Sequence, residues 1–558
     1  MNLIGNINAI PFRRFRGGGG VTPFPSVPGM IARYSALGLT NEQMATNPVW
    51  ADKTGNDHDL QMKNFAWKEG SGISDVYPGF ILGDGVDDFA VTEKELNFED
   101  TYTVYTAFIP LQNDPIKNMI VCGKDYKKDF YINYDTQLVF YTANSTKSIP
   151  LHINQFTVLL CKRDKTTGVI KNLVTGESFQ FSVSQLISNP GLYYLWRSAT
   201  VFSYGKTAIA GQTICNGYFS TDEDDEKVLN WHKKQYPWLF PDQAWTVTGK
   251  TNEDEDRATI ANITGNGNDL VLSNFGFAGN SGYGEYAQNF NIDKWKIATP
   301  SRVEATKTNS SFNITKVNGK AIQLYYLSTQ KEVAFTIPST KVRVTGLTDG
   351  QTINYRYFVD DVANDFLIPS DGIYNLPEFE FPAKGDYYGF NLTKIQSSCN
   401  IIIEQIPEYE GYLVTDGVDD KVESSPFTLN KDWTIVGNWT MLSNIPSNCG
   451  IIKVSSMLLY NSLDGVTIYF AGGPIKIQSK SINAFCSDGR IYLNDWTEIL
   501  KPDAQIASGG SKFSLNIASY SANFTKMAFK NLAIYDGKNL SKDDCIKAYN
   551  YLQTLKAK

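Results

Sequence analysis

The chain has 558 residues, with 51 basic and 58 acidic side chains and a formal net charge of −7. This length provides for three or four domains of ordinary size, each able to bury its own core. The charge balance includes no basic stripe, which argues against a nucleic-acid partner. No apolar run approaches the roughly 18–20 residues of a membrane span, and no secretory signal is recognisable, so we expect a soluble protein without a membrane partner.

The 7 cysteines are an odd number, are widely scattered and include no C-x-x-C pair. This pattern predicts buried, reduced thiols in a protein that is made in a cytosol. It also argues against a zinc site.

Residues 1–30 differ in composition from the rest of the chain. They contain the run Ile10-Pro11-Phe12-Arg13-Arg14-Phe15-Arg16, followed by glycines at 17–20 and prolines at 23, 25 and 28. Such a segment has no hydrophobic periodicity and cannot make a core of its own. We interpret it as a tail or an anchor.

The segment 31–242 is predicted to form a first β-domain. Its stretch Thr103–Pro110 is rich in β-branched and aromatic residues, as strands are. A short helix should close the domain, because Ser220 and Glu223 have the spacing of a capping box in front of apolar residues such as Val228 and Trp231.

The chain then repeats itself. Thr264-Gly265-Asn266, Asp269-Leu270 and Asn274-Phe275 repeat Thr54-Gly55-Asn56, Asp59-Leu60 and Asn64-Phe65 at an offset of 210 positions, from 54 to 264. Asp416-Gly417-Val418-Asp419-Asp420 repeats Asp84-Gly85-Val86-Asp87-Asp88 at an offset of 332 positions, from 84 to 416. The second copy therefore carries about 122 extra residues between its landmarks. A period this long predicts duplicated domains, because solenoid repeats run roughly 20–50 residues.

The second copy is predicted to span 243–290 and 410–558. It has a strand at Trp433–Leu442, and Ser541 with Asp544 predicts the start of a terminal helix.

The stretch 291–409 is long enough to be an independent β-sandwich inserted in the second copy. Within it, Val342–Val344 and Ile353–Tyr357 flank the turn signals Gly346-Leu347 and Asp349-Gly350 and are predicted to form a hairpin. The run Cys399–Ile406 is predicted to be a buried strand.

These elements predict an all-β fold, and their motifs resemble those of a known family. Gly55-Asn56, Asp59-Leu60 and Asn64-Phe65, then Phe80 to Asp88 and a capped terminal helix, resemble a concanavalin A-like or laminin G-like jelly-roll domain. The resemblance covers roughly residues 30–290 and 410–558, through short motifs. It implies two concanavalin A-like jelly-roll sandwiches, with a smaller β-sandwich inserted in the second.

More narrowly, the chain resembles virion proteins of tailed phages of Bacteroides-type bacteria, crAss-like phages included. This resemblance implies a capsid head fibre in the virion, synthesised in the host cytoplasm and attached to capsid proteins by its N-terminal peptide. The implied anchoring residues are Ile10, Phe12, Arg13, Arg14, Phe15 and Arg16. The jelly rolls would then face host or mucosal glycans, and a dimer or trimer would give several weak sugar sites avidity.

Two other classes of function stay open on the residues alone. One is a free or cell-surface carbohydrate-binding protein. The other is a glycoside hydrolase of the jelly-roll class, which would need two carboxylates at the scissile bond. The usual Glu-x-Asp-x-Glu pattern of such hydrolases is absent, and His58, His152 and His232 belong to no nucleophile motif. We therefore expect a protein that is not an enzyme and needs no cofactor.

The repeated aspartates have two interpretations. Asp84, Asp87 and Asp88, like their counterparts Asp416, Asp419 and Asp420, offer the oxygens that calcium prefers. Asp-Gly is equally a turn signal, and aspartates at the start of a strand can cap backbone amides. The structural turn is the favoured interpretation, with calcium as the alternative.

Overall fold

The computed structural model describes residues 23–557 apart from 113–118, 124–129, 135, 143–144, 185–190, 198–203, 278–280, 285–294, 298–301, 309–310, 318–321, 328–334, 338, 349, 382–386, 393–397, 408, 443–448, 455–456, 463–464, 471–472, 478–480, 501–511, 514, 518, 521–522 and 525. The chain is 9% helical and 49% strand, which confirms the predicted all-β fold. Two compact units divide it, Met1–Phe240 and Pro241–Lys558. The predicted anchoring residues Ile10 to Arg16 lie outside the described residues. Among the described helices, none has the length and apolar character needed to cross a bilayer.

The first unit is a sandwich of two 8-stranded antiparallel sheets. Its elements are β1 (Met30–Ser35), α1 (Asn41–Thr46), β2 (Val49–Trp50), β3 (Leu60–Lys63), β4 (Gly72–Ile73), β5 (Ile81–Leu82), β6 (Phe89–Thr92), β7 (Thr101–Pro110), β8 (Met119–Gly123), β9 (Tyr131–Tyr134), β10 (Gln137–Thr142), β11 (Ser145–Pro150), β12 (Thr157–Asp164), β13 (Thr167–Asn172), β14 (Ser178–Ser182), β15 (Tyr194–Leu195), β16 (Thr207–Asn216), α2 (Asp222–Gln235) and a 3-10 turn (Pro237–Leu239).

Sheet 1A has the strand order β14-β13-β12-β7-β16-β5-β4, with β1 also paired to β16. Sheet 1B has the order β11-β10-β9-β8-β15-β6-β3-β2. Residues such as Trp50, Phe108 and Trp196 fill the core between the sheets. The side chains of β7 are buried on both faces, because one face meets the core and the other meets helix α2.

Helix α2 begins one residue later than the sequence pattern predicts. Thr221 is the N-cap, and Thr221 and Asp224 exchange side-chain and backbone hydrogen bonds of 3.3 and 3.1 Å. Ser220 does not act as the cap, because its N–H donates to Thr103 Oγ1 (3.0 Å) and its hydroxyl donates to Asp225 (2.7 Å). The predicted capping box of Ser220 and Glu223 is therefore wrong by one position, although the helix itself forms.

Residues before position 30 also pack on the first sandwich. The ring of Phe24 lies 5.0 Å from that of Trp231 in helix α2, and the guanidinium of Arg33 lies 5.0 Å from the Phe24 centroid. Val27 is buried. The segment interpreted as a tail therefore includes residues that pack on the first sandwich.

The second unit contains another pair of 8-stranded sheets and a smaller inserted sandwich. Before the insertion lie β17 (Gln243–Thr246), β18 (Thr259–Ile260), β19 (Leu270–Ser273) and β20 (Gly282–Tyr283). The insertion contains β21 (Lys296–Ile297), β22 (Val303–Lys307), β23 (Ser311–Val317), β24 (Ile322–Leu327), β25 (Phe335–Ile337), β26 (Thr340–Thr345), β27 (Ile353–Val359), β28 (Val362–Ile368), β29 (Gly372–Leu376), β30 (Phe379–Phe381), β31 (Tyr387–Asn391) and β32 (Ile401–Gln405).

After the insertion the second copy resumes and ends on a helix. It contains β33 (Leu413–Val414), β34 (Lys421–Ser424), β35 (Phe427–Thr428), β36 (Trp433–Met441), β37 (Cys449–Val454), β38 (Met457–Ser462), β39 (Gly465–Phe470), β40 (Gly473–Ile477), β41 (Ile482–Cys486), β42 (Arg490–Leu493), β43 (Glu498–Leu500), β44 (Lys512–Phe513), β45 (Leu515–Ile517), β46 (Ser519–Tyr520), β47 (Asn523–Phe524), β48 (Met527–Asp536) and α3 (Lys542–Thr554). As predicted, Ser541 is the N-cap of α3, and its hydroxyl accepts the N–H of Asp544 at 3.1 Å.

The second sandwich repeats the first. Sheet 2A has the order β20-β33-β48-β36-β41-β42-β43, with β17 paired to β48, and sheet 2B has the order β18-β19-β34-β45-β37-β38-β39-β40. In the first copy Gly72 pairs with Leu82 across β4 and β5, and in the second copy Gly282 pairs with Val414 across β20 and β33. Gly72 and Gly282 differ by the first sequence offset, and Leu82 and Val414 differ by the second. The extra residues of the second copy therefore all lie between two strands that are hydrogen-bonded to each other.

The inserted sandwich has two five-stranded sheets. Sheet 3A has the order β21-β24-β31-β27-β28, and sheet 3B has the order β22-β23-β32-β26-β29. The predicted hairpin of Val342–Val344 with Ile353–Tyr357 is wrong, because β26 belongs to sheet 3B and β27 to sheet 3A. The turn between them crosses from one sheet to the other. The predicted strand at Cys399–Ile406 is confirmed as β32, but only one of its faces is buried, since Ile401, Ile403 and Gln405 are buried and Ile402 is exposed.

Equivalent glycines in the two copies, Gly72 and Gly282, adopt the same unusual backbone conformation. Gly72 (φ +145°) and Gly282 (φ +143°) are in a region that L-residues avoid, and a Cβ on Gly72 would lie 2.5 Å from Asn41 Oδ1. We expect Gly72→Ala and Gly282→Ala each to lower the free energy of unfolding by about 2–4 kcal/mol in urea titrations. Gly70→Ala is the control for the contact, because Gly70 also has a positive φ (+92°) but would have no atom within 4 Å of an added Cβ, so its loss should be smaller. Equal losses for Gly70→Ala and Gly72→Ala would contradict this account.

Candidate functional site

The repeated aspartates build the same turn in both copies. Asp84 Oδ1 accepts the N–H of Val86 at 2.7 Å, and Asp88 Oδ2 accepts the N–H of Asp84 at 3.0 Å. In the second copy Asp416 accepts the N–H of Val418 at 2.7 Å, and Asp420 accepts the N–H of Asp416 at 2.8 Å. Both aspartates of each pair therefore hold the backbone of the turn that starts the next strand.

The same carboxylates were the candidates for calcium. In each copy the three aspartates bring ligand atoms within 4.8 Å of one another. One oxygen of Asp84 and one of Asp88 are already used by backbone amides, whereas calcium takes six to eight oxygens. Burial, together with the charges of Asp84 and Asp87, raises the pKa of Asp88 to about 6, and Asp420 behaves in the same way. The geometry fits a turn stabilised by its own carboxylates.

The histidines have structural surroundings. His232 is buried in α2, 6.0 Å from the ring of Phe156, and burial lowers the pKa of its imidazole to about 3. His152 Nε2 lies 2.8 Å from a carboxylate oxygen of Glu177. These contacts fit packing and pairing roles.

A cluster of rings around one arginine lies on the outer face of sheet 1B. Ala90 and Thr92 of β6 are buried, so the alternating Phe89 faces outwards. The Arg197 guanidinium lies 4.8 Å from the Phe89 centroid, 5.8 Å from that of Tyr194 and 6.0 Å from that of Tyr204. All four side chains are half-buried. We call Phe89, Tyr194, Arg197 and Tyr204 the first-copy patch.

The two copies have different side chains at the start of the equivalent strands β6 and β34. The residue that follows the Asp-Gly-Val-Asp-Asp turn is Phe89 in the first copy and Lys421 in the second. Lys421 Nζ lies 6.0 Å from the ring centroid of Phe524. The two copies thus keep the turn but present different side chains directly after it.

A second cluster of the same chemistry lies on sheet 3A of the inserted sandwich. Gly389 of β31 pairs with Arg356 on one side and with Tyr325 on the other. The Arg356 guanidinium lies 4.6 Å from the Tyr387 centroid, and the rings of Tyr325 and Tyr387 are 5.8 Å apart. We call Tyr325, Arg356, Tyr387 and Gly389 the insert patch.

Two polar atoms near the insert patch are buried without a protein partner. They are Nε of Arg356 and Oδ1 of Asn391, which is two residues after Gly389 on the same face of β31. Gly389 has φ +154°, and a Cβ there would collide with the backbone of Leu324. Strands β24 and β31 therefore approach each other closely at Gly389, beside rings and hydrogen-bonding groups that suit a polar ligand with a flat face.

Such patches have the chemistry of a sugar site. Aromatic rings offer apolar faces on which the C–H face of a pyranose can stack, and guanidinium and amide groups can hydrogen-bond hydroxyls. The sequence analysis named none of these residues. Comparison of the position after each repeated turn, Phe89 against Lys421, would have found one of them.

The chain matches no known protein-family model and no curated protein in sequence. Its fold is similar in part to a Trypanosoma rangeli sialidase in complex with sialic acid, with 11% identity and a TM-score of 0.28 over 38% of this chain and 34% of the sialidase. Domain 4 of an extracellular arabinanase from Geobacillus stearothermophilus matches with 16% identity and a TM-score of 0.24, over 36% of this chain and 98% of that domain.

A tailspike protein of an Escherichia coli bacteriophage matches with 10% identity and a TM-score of 0.22, over 29% of this chain and 25% of the tailspike. The chain spans about a third of the sialidase and a quarter of the tailspike.

The buried aspartates predict a pH effect on stability. A carboxyl whose pKa rises from 3.8 to about 6 on folding keeps its proton in the folded state after the unfolded chain has lost it, so stability falls as pH rises from about 4 to 6. Asp88→Asn removes this loss. We expect Asp88→Asn to be more stable than the unchanged protein at pH 7, and this gain to be small at pH 4. The gain in the free energy of unfolding between the two pH values should be up to about 3 kcal/mol, measured by urea titration.

Asp87→Asn is the matched control, because Asp87 is exposed in the same turn. Its difference from the unchanged protein should vary less with pH than that of Asp88→Asn, because it removes only one of the charges that raise the pKa of Asp88. A pH-independent effect of Asp88→Asn would show that burial does not govern this carboxyl.

Proposed function

We propose that this protein is a non-enzymatic, glycan-binding component of a phage virion. The observation that carries the binding role is the placement of one arginine against aromatic rings on an outer sheet face, once in the first sandwich and once in the insertion. Rings and guanidinium groups together recognise sugars through stacking and hydrogen bonds.

Each patch is small, and its affinity for one sugar should be weak. Proteins with such sites gain strength by linking several of them, and a chain with two patches provides two contacts before any oligomer forms. Assembly into a dimer or trimer would multiply these contacts. This supports a role in adhesion to surfaces that carry many copies of one glycan, such as a host envelope or mucus.

The repeated aspartates favour a structural role over hydrolysis. In the described part of the chain, the two clusters of three aspartates are the repeated turns. Asp84, Asp88, Asp416 and Asp420 accept backbone N–H groups there. A glycosidase needs one carboxylic acid and one carboxylate free to face a scissile bond.

The virion part of the proposal rests on the composition of residues 1–30. The run of Phe12, Arg13, Arg14, Phe15 and Arg16 precedes four glycines and then the first sandwich. Aromatic side chains can fill pockets of a capsid protein, the arginines can pair with its acidic or carbonyl groups, and glycines at 17–20 give a hinge. This peptide would hold the sandwiches at the capsid surface.

We expect the patches to determine glycan binding. On an array of bacterial surface and mucin glycans, Arg197→Gln and Arg356→Gln should each weaken binding to the glycans that the unchanged protein selects by about tenfold or more, because a charged hydrogen bond contributes about 1.5–3 kcal/mol. Thermal melting should show that the variants stay folded.

Lys421→Gln is the matched control, because this residue occupies the Phe89 position of the second copy. It should bind as the unchanged protein does. If no glycan binds, or if both arginine variants bind normally, the glycan-binding role is wrong.

Deletion of residues 1–20 tests the virion role separately. We expect the shortened protein to keep its melting temperature but to be lost from purified virions, because the deletion removes the proposed anchor and leaves the first sandwich intact. The glycan array should be unchanged for this variant. Incorporation at the normal level would show that the sandwiches themselves dock, and absence of the full chain from virions would exclude the virion role.

A further inference from the structure

The two terminal helices are attached to their sheets at equivalent positions but with different chemistry. In the first sandwich Lys162 of β12 and Asp225 of α2 form a buried ion pair, with Nζ 3.1 Å from Oδ2. Nζ of Lys162 also donates to the carbonyl oxygen of Ser220 at 2.8 Å. The pair fixes the first turn of the helix to sheet 1A.

The register of the sheets identifies the counterparts of this pair. Lys162 lies opposite Thr103 of β7, and Cys486 of β41 lies opposite Thr434 of β36. Thr103 and Thr434 are equivalent, because each hydroxyl accepts the N–H of the residue before the helix N-cap, at 3.0 and 2.9 Å. Cys486 therefore occupies the position of Lys162.

The helices give the second counterpart. Asp225 is four residues after the N-cap Thr221, and Cys545 is four residues after the N-cap Ser541. The sulfur of Cys486 lies 4.0 Å from the carbonyl oxygen of Leu540, as Lys162 approaches that of Ser220. The second copy thus has two cysteines at the two positions where the first copy has an ion pair.

The two thiols are neighbours. Both are buried, and each affects the ionisation of the other. Cys545 lowers the pKa of Cys486, and Cys486 raises the pKa of Cys545, so Cys486 is the thiol that ionises first. In this structure Cys486 and Cys545 are free thiols, as are Cys122, Cys161, Cys215 and Cys399.

We propose that Cys486 and Cys545 form a disulfide that joins helix α3 covalently to sheet 2A. The thiolate of Cys486 attacks one sulfur of a small disulfide such as oxidised glutathione and releases one glutathione thiolate. The thiolate of Cys545 then attacks the Cys486 sulfur of the mixed disulfide and releases the second. Two protein thiols lose two electrons and two protons, and one oxidised glutathione becomes two reduced molecules.

Burial of both sulfurs sets the conditions for this reaction. An oxidant can reach Cys486 only when α3 opens, and α3 is the last described helix of the chain. A protein made in a reducing cytosol would therefore carry thiols and would gain the cross-link after release into an oxidising medium. This inference does not depend on glycan binding.

The test uses the full chain, refolded to equilibrium in glutathione buffer with excess oxidised form, then unfolded, alkylated, digested and analysed by mass spectrometry. We expect the peptides of Cys486 and Cys545 to be linked and those of the other described cysteines to be alkylated. The melting temperature of the second sandwich should be higher than in the reduced protein by about 5–10 °C. The double variant Cys486→Ala with Cys545→Ala should lose this difference.

The first copy offers the converse experiment. Lys162→Cys with Asp225→Cys should form a new disulfide under the same conditions, because the two positions are equivalent to those of the natural pair. Complete alkylation of Cys486 and Cys545 in the oxidised, refolded full chain would overturn the proposal. Linkage spread over other cysteines would overturn it as well.

Discussion

Both sandwiches depend on a pair of hydrogen bonds that joins a central strand, β7 or β36, to the segment just before the helix that ends the sandwich, α2 or α3. Thr103 Oγ1 accepts the N–H of Ser220 and donates to the carbonyl of Tyr218, and Thr434 does the same for Leu540 and Lys538. Both threonines are fully buried. Each threonine thus pairs one buried backbone donor and one buried backbone acceptor where the helix covers the sheet, which favours burial of the central strand on both faces.

Comparison of the two copies shows which positions are the same in both and which differ. Asn64 and Asn274 both adopt φ +69° and both donate to the carbonyl of the fourth residue of the repeated turn, Asp87 or Asp419, at 3.0 Å. Such positions fix the backbone and have been kept. The copies differ in two places, where different side chains serve the same structure. One is the outer sheet face, with Phe89 or Lys421, and the other is the contact between helix and sheet, with an ion pair or two cysteines. Differences between the copies therefore locate function better than their identities do.

The sequence predicted the parts of the structure that local chemistry determines. Strands such as β7 and β36, the two helices and the place of the insertion follow from periodicity, caps and repeated motifs. The hairpin of β26 and β27 failed, because Gly346 (φ +91°) and its neighbours turn the chain from one sheet to the other, and no local pattern distinguishes that from a hairpin. The patches were missed because their members, such as Phe89 of β6 and Arg197 just after β15, are distant in sequence and meet only in the fold.

The insertion also follows from the pairing. Gly282 and Tyr283 are hydrogen-bonded neighbours of Val414 and Leu413, so the chain leaves and re-enters the second sandwich at adjacent points. A folded domain whose ends lie close together can fill such a site without separating the host strands, and longer connections add closure entropy only slowly. The first copy shows that the same pair forms with a short connection, between Ile73 and Ile81. The strand pair thus needs no insertion in order to form, and the inserted sandwich adds an outward-facing arginine and tyrosines that its host does not need for this pairing.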